Sequence, residues 1–239
     1  MTLIQHVPRD PTPTPAYYCS VIIPTLNEAA QLPTTLRRLT ETMTDDCEII
    51  IVDGGSTDDT TGIARRSGAR VINCTRGRAL QMNAGARVAR GENLYFLHAD
   101  TVPPTDWLER LKEHGTMPCC FRLTFTGDSR LLRLYGWFTR FDVDAFRFGD
   151  QSLWVRKVDF EAVGGFPEWQ LLEDNYLVRR LRERTGGFRI LDASVTTSPR
   201  KYVRNGFAYT QAVYVLLYTL YRLGAGQKLL TGVYRRLLD

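Results

Sequence analysis

The chain alternates short uncharged apolar runs with stretches whose apolar residues recur every three or four positions. Ser20-Val21-Ile22-Ile23 is the first run and stops at Pro24. Leu32, Leu36 and Leu39 follow at helical spacing, and the helix they predict ends before Asp45-Asp46. Residues 47–52 read as a second strand, 57–67 as a short helix with Asp58 or Asp59 near its start, and 69–74 as a third strand. Residues 79–89 predict a helix rich in small side chains, and 93–97 a fourth strand. Each strand is apolar throughout, the pattern of parallel strands covered on both faces. An α/β sheet of the dinucleotide-fold type follows, with ligands expected beyond the carboxyl ends of its strands.

Beyond Asp100 the regularity fades to strands near 119–126 and 151–155 and a helix over 172–184. Residues 1–18 hold Pro8, Pro11, Pro13 and Pro15 and read as a flexible, extended leader with no apolar core for a signal peptide. Residues 19–205 then form one domain, and 206–239 a C-terminal helical segment. Residues 207–223 are apolar nearly all round, yet their uninterrupted stretch, 212–218, is far short of the roughly 20 residues that span a bilayer. Three readings remain for this helix: burial on the core, a homodimer interface, or an interfacial membrane helix flanked by Arg204, Arg222, Lys228, Arg235 and Arg236.

With 44% apolar and 24% charged residues among 239, wholesale disorder is excluded. The five cysteines contain no CxxC, so neither a zinc knuckle nor a redox pair is predicted. Cys119-Cys120 reads as strand filler, and a reduced, cytoplasmic setting is expected, peripheral to the inner membrane face if the last helix is interfacial. Seven of the 31 basic residues but one of the 26 acidic ones lie in 200–239, so that segment carries +6 and the rest of the chain −1. Such a distribution points to a local anionic partner and away from nucleic-acid binding by the whole protein.

The strand ends are chemically rich. Pro24-Thr25-Leu26-Asn27-Glu28 follows the first, Asp53-Gly54-Gly55-Ser56 the second, Thr75-Arg76-Gly77-Arg78 the third, and His98-Ala99-Asp100 the fourth. Capping by Asn27 or Ser56 and a turn at Asp53-Gly54 explain single ends. They do not explain why two aspartates and two arginines share one rim, which favours a binding site. Neither GxGxxG after the first strand nor GxxxxGK[ST] is present. A nucleotide diphosphate would then be held through a divalent ion on Asp100 and through Arg76 or Arg78.

The strings SVIIPTLNEA, IIIVDGGSTDDT and GRALQMNAGARVARGENLYFLHADT strongly resemble the family-2 glycosyltransferases of the GT-A fold. FGDQSLWVRK, GGFPEWQLLEDNYLVRRLR and TSPRKY resemble a bacterial branch described as radical-SAM-associated or arsenosugar-biosynthesis glycosyltransferases. The resemblance covers about residues 19–205. It implies that Pro24, Thr25 and Glu28 line the base and ribose pocket, and that Asp53 accepts from the base, uracil. Arg78, Gln81 and Asn83 would approach the sugar and phosphates. The small residues of that helix would let it pack closely on the sheet.

The family's metal motif, Asp-x-Asp, reads His98-Ala99-Asp100 here. Asp100 would bind Mn²⁺ or Mg²⁺. His98 would ligate the ion, contact the ribose or fill space, and a nitrogen ligand favours Mn²⁺. Glu173-Asp174 matches the acidic pair of inverting members, with Asp174 as general base; helix-dipole stabilisation is the plainer explanation of the same residues. Asp150 and Gln151 would contact acceptor hydroxyls, and Trp169 would be a sugar platform or core filler. Arg200 would reach the pyrophosphate. The implied enzyme transfers a sugar from a nucleotide donor, a UDP-sugar, to a small-molecule or lipid-linked hydroxyl acceptor with inversion. Two rivals stand beside it: a nucleotidyltransferase, for which PTLNEA is the wrong loop, and a catalytically silent sugar-nucleotide or lipid-surface binding module.

Overall fold

The computed structural model describes residues 17–143 and 151–238. The first half alternates β1 (Tyr17–Thr25), α1 (Leu32–Thr42), β2 (Cys47–Asp53), α2 (Thr60–Arg66), β3 (Arg70–Asn73), α3 (Arg78–Val88) and β4 (Gly91–Phe96). The second continues with β5 (Thr101–Val102), α4 (Trp107–His114), β6 (Cys119–Phe125), α5 (Arg130–Phe138), β7 (Leu153–Arg156), α6 (Lys157–Ala162) and α7 (Glu173–Thr185). It ends with β8 (Arg189–Thr197), α8 (Arg200–Asn205), α9 (Phe207–Arg222) and α10 (Gln227–Leu238).

One eight-stranded sheet runs β3-β2-β1-β4-β7-β6-β8-β5. Its first four strands are parallel, as the unbroken apolar runs require. β7 then pairs antiparallel with both β4 and β6, and β8 lies parallel to β6. Neighbouring residues of β1 serve opposite faces. Val21 and Ile23 enter a core with α1, α4 and α9, whereas Ile22 joins Ile50, Val52, α3 and α7 on the other side.

Cys119 and Cys120 fill β6, both buried. Strand β1 begins at Tyr17, two residues inside the span expected as leader. The C-terminal helices pack on the sheet: Val213, Leu217, Leu230 and Leu238 join the first core. Among the described residues no helix is long and apolar enough to cross a membrane.

The small residues of α3 allow a close approach. A Cβ on Gly85 would fall 2.4 Å from Ile22 Cγ2 and 3.0 Å from Val52 Cγ2, so the helix lies directly on the ends of β1 and β2. Gly85→Val is expected to lower the unfolding free energy by about 2–3 kcal/mol through overpacking. Urea unfolding measures this, and wild-type stability in the variant would contradict the close approach.

Candidate active site

The loops leaving β1 and β2 are stitched together. Asn27 adopts a positive φ of 55°. Its side-chain oxygen accepts from Thr57 N at 2.8 Å, and its own N–H donates to Ser56 Oγ at 2.9 Å. Glu28 N donates to Thr60 Oγ1 and Ala29 N to Asp58 Oδ2. Asn27 and Ser56 thus lace loop to loop and cap no helix, since α1 is preceded by Gln31 and α2 by Asp59. The helix expected from residue 57 starts at Thr60 because Thr57 and Asp58 are engaged across this seam.

Asp53 anchors the second loop. It is 3% exposed, and its carboxylate accepts from Gly55 N, Ser56 N, Ser56 Oγ and, at 3.3 Å, Thr25 Oγ1. A carboxylate offers about four acceptor sites, so those of Asp53 are filled by its own surroundings. Asp53 thus braces the loop after β2 and ties it to the end of β1.

Gln81 and Asn83 are also braces. Gln81 Nε2 donates to the carbonyls of Thr25 at 2.9 Å and Val52 at 2.7 Å, and its Oε1 accepts from Gly77 N. A Cβ on Gly54 would meet that amide at 3.1 Å. Asn83 exchanges two bonds with the Phe166 backbone, at 2.8 and 3.0 Å. Sequence reasoning expected both at the sugar and phosphates. Their amides are instead turned inward, onto backbone groups that no local sequence signal announces.

Two arginines each span two carboxylates. Arg78, the first residue of α3, reaches Glu173 Oε1 through Nε at 2.5 Å and Asp174 Oδ2 through Nη2 at 2.9 Å. The Glu173 side chain is fully buried and that of Asp174 is 21% exposed, so only Asp174 can meet an acceptor. Glu173, expected beside it as catalytic, is a buried partner whose Oε2 has no hydrogen-bond partner among the described residues. Leu172, with φ 63°, turns the chain into this pair, a left-handed conformation that is costly for a bulky side chain and typical of functional sites.

Arg200, the first residue of α8, lies 3.0 Å from both oxygens of Glu28 and 2.9 Å from Asp100 Oδ2. Burial raises the Glu28 pKa, and Asp100 raises it further, against the lowering effect of Arg200. Burial works to loosen the proton of Arg200, but the hydrogen bonds and charges of Glu28 and Asp100 together outweigh it and raise its pKa.

That guanidinium is a stand-in cation between two carboxylates, which tests the fit of a divalent ion. Among the described residues no group of three or more His, Cys, Asp and Glu could hold a metal. An all-protein cage does not fit. An ion held by one or two carboxylates with donor phosphates completing its shell does fit, with Asp100 and Glu28 as its protein oxygens. His98 stands half-buried two residues before Asp100.

The other expected residues are spread more widely. Pro24, next to last in β1, lies opposite Val52, and Arg76 is exposed in the loop before α3. Trp169 meets Tyr176 at a tilt, 4.8 Å between ring centres, and Tyr221 edge-on at 6.2 Å, so it sits at the junction of α7 and α9. Gln151 Nε2 points to the Thr139 carbonyl at the end of α5, at 3.5 Å. Asp150 lies outside the described residues. A cavity of about 440 Å³ opens elsewhere, at the amino ends of β1 and β4 between Tyr18, Asn93, Arg156 and Glu161, and none of the expected site residues lines it.

A mostly parallel α/β sheet with carboxylates and arginines at its strand ends is the GT-A architecture. The family model for glycosyl transferase family 2 matches residues 20–149. The chain belongs to that family. It is 43% identical over 88 residues to a PGL/p-HBAD biosynthesis glycosyltransferase of Mycobacterium tuberculosis, covering 34% of each chain. It is 33% identical over 110 residues to an undecaprenyl-phosphate 4-deoxy-4-formamido-L-arabinose transferase of Pseudomonas syringae, covering 41% of this chain and 33% of that one. The matched segment thus spans about a third of the length of these relatives.

Solved structures agree in fold. Glucosyl-3-phosphoglycerate synthase of M. tuberculosis, complexed with Mn²⁺ and UDP-glucose, gives a TM-score of 0.62 at 17% identity, over 88% of this chain and 81% of that one. The mannosyltransferase PcManGT of Pyrobaculum calidifontis, with GDP-mannose and Mn²⁺, gives 0.63 at 20%, over 95% and 73%. S. aureus TarS 1-349 with UDP-GlcNAc gives 0.62 at 18%, over 75% and 58%.

The buried Glu173 makes Arg78 testable. Arg78→Ala strands that carboxylate without a countercharge and is expected to cost about 3 kcal/mol. Adding Glu173→Gln removes the stranded charge and is expected to restore at least half of the loss in denaturant titrations. An Arg78→Ala protein of wild-type stability would contradict the pairing.

Proposed function

We propose that this glycosyltransferase moves a sugar from a uridine diphosphate donor to a hydroxyl group, with inversion at the anomeric carbon and Asp174 as general base. The observation that carries the reading is the pair of clusters, each of two carboxylates and one arginine, attached to the same sheet. Arg78 against Glu173 and Asp174 leaves one net negative charge. That charge can take up the proton an acceptor hydroxyl loses as it attacks. Glu173 takes the shorter arm of the guanidinium and stays buried, which leaves Asp174 facing outward.

The second cluster suits the leaving diphosphate. Arg200 is half exposed and can turn from the carboxylates to phosphate oxygens, where its planar fork suits bidentate contact. A divalent ion on Asp100 would supply charge to offset the negative charge growing on the diphosphate. UDP-sugar complexes among the solved neighbours support a uridine donor, while one neighbour carries a small hydroxy acid and one relative is named for undecaprenyl phosphate, so the acceptor is either a small molecule or lipid-borne. The arsenosugar-type branch enters only through the later motifs, and the donor reading does not depend on it.

The competing reading, a silent sugar-nucleotide binding module, draws on the arginine that occupies Asp100 and on His98 in the metal motif. Donor hydrolysis separates the two.

Calorimetry with UDP, GDP and CDP, each with Mn²⁺, Mg²⁺ or EDTA, is expected to give tight, metal-dependent binding of UDP alone. Binding unchanged by EDTA would leave the diphosphate to the arginines, and no nucleotide binding would sink the enzyme reading. Asp174→Asn is expected to lower turnover by about 10²–10⁴ while UDP affinity stays within about twofold. A variant that keeps turnover removes Asp174 as base. Arg200→Ala is expected to weaken UDP binding, and unchanged affinity and turnover would remove Arg200 from the phosphate.

A further inference from the structure

Twelve large apolar side chains are exposed among the described residues, and eleven of them fall in two stretches, 131–143 and 203–229. The first belongs to α5 and the turn after it. Leu132 and Tyr135 face inward, and Gly136 presses the helix onto β6 so closely that a Cβ there would lie 2.5 Å from the Leu123 carbonyl. Thr139, 1% exposed, fastens the end of the helix by accepting from Leu123 N and donating to the Gly136 carbonyl. The opposite face is therefore fixed outward. It carries Leu131, Leu134 and Trp137, then Phe141, each 43–53% exposed.

These side chains gather on the outside. Trp137 meets Phe141 edge-on at 5.0 Å, and the Arg140 guanidinium lies 4.8 Å above the Trp137 ring. Arg130 and Arg133 stand at the start of the helix, and no acidic residue occurs from Arg130 to Phe141. The second stretch has the same character. Val215, Leu216 and Leu223 of α9 and its C-terminal cap are exposed, and residues 200–238 contain no acidic side chain. On the buried side of α5, Tyr135 lies 6.1 Å from Tyr202 and 6.3 Å from Phe207 and holds the start of α9 against α5.

We propose that the outward face of α5, with the adjoining outer surface of α9, docks on an anionic bilayer. An apolar strip with an amphipathic indole, bordered by cations and free of acids, is the composition of a helix that lies in the headgroup layer. The basic excess supplies attraction to anionic lipid. Arg133 lies 3.9 Å from Asp128 just before the helix, but a neutral protein partner would satisfy the apolar strip and leave the acid-free C-terminal segment without a counterpart. The docking does not depend on the donor or acceptor chemistry proposed above.

The test is co-sedimentation of the full chain with vesicles of phosphatidylcholine, alone or with one third phosphatidylglycerol, at low and high salt. Binding to the anionic vesicles is expected to exceed binding to neutral ones by about tenfold at low salt and to fall as salt rises. Leu134→Ser with Trp137→Ser is expected to reduce partitioning about tenfold, and Arg130→Glu with Arg133→Glu to reduce it on anionic vesicles alone. The thermal unfolding midpoint checks that the variants fold, so failure of the donor reading would not touch this result. No binding at low salt, or equal binding to both vesicle types, overturns the proposal. A dimer that the Leu134→Ser, Trp137→Ser protein fails to form, without vesicle binding, overturns it in favour of self-association.

Discussion

The side-chain amide of Gln81 holds the ends of β1 and β2 together, and the rest of the rim depends on that clasp. The two carbonyls it reaches sit where the strands give way to loops: Thr25, which also accepts from Gly54 N at 2.9 Å, and Val52 each gain a further donor from it. By joining them to α3, one residue fixes the loop bearing Glu28, the loop bearing Asp53 and the helix that begins with Arg78. The missing side chain of Gly85 is what lets α3 lie near enough for the clasp to close. Packing and hydrogen bonding thus impose the same distance.

From that frame the electrostatics follow. Each arginine carries two carboxylates, and each pair combines groups far apart in sequence: Arg78 with 173 and 174, Arg200 with 28 and 100. Fork geometry suits such bridging. The clusters differ in water access. Glu173 is sealed, so its pairing with Arg78 bears on folding, whereas Arg200 is half exposed and its pairings are weak enough to exchange. A rigid pairing beside a labile one is a sensible division between a group that must stay in place and a group that must move to meet a ligand.

The parallel half of the sheet was legible in the sequence because its strands are buried on both faces and so read as unbroken apolar runs. Beyond Asp100 the strands expected near 119–126 and 151–155 and the helix over 172–184 recur as β6, β7 and α7, but α4, α5, α6 and β8 were not legible. β8 is only half buried and mixes RILDASVTT without a clean alternation, and α5 is apolar on its outer face as well as its inner one. At the rim, Gln81 and Asn83 bond to backbone groups that distant segments bring in, whereas Asp53 bonds to the loop that follows it and to Thr25. Arg200 was expected at phosphate, and its resting place between Glu28 and Asp100 depends on a contact across 172 positions.

The saturated carboxylate of Asp53 bears on how such an enzyme diversifies. With its oxygens engaged by Gly55, Ser56 and Thr25, it holds the loops after β1 and β2 in one shape. Solved neighbours of the same fold are complexed with uridine and with guanosine diphosphate sugars. A base preference read by loop backbone could drift by insertion and exchange at exposed positions while that prop stays constant. Base preference would then be an evolvable trait, separated from the residues that keep the scaffold standing.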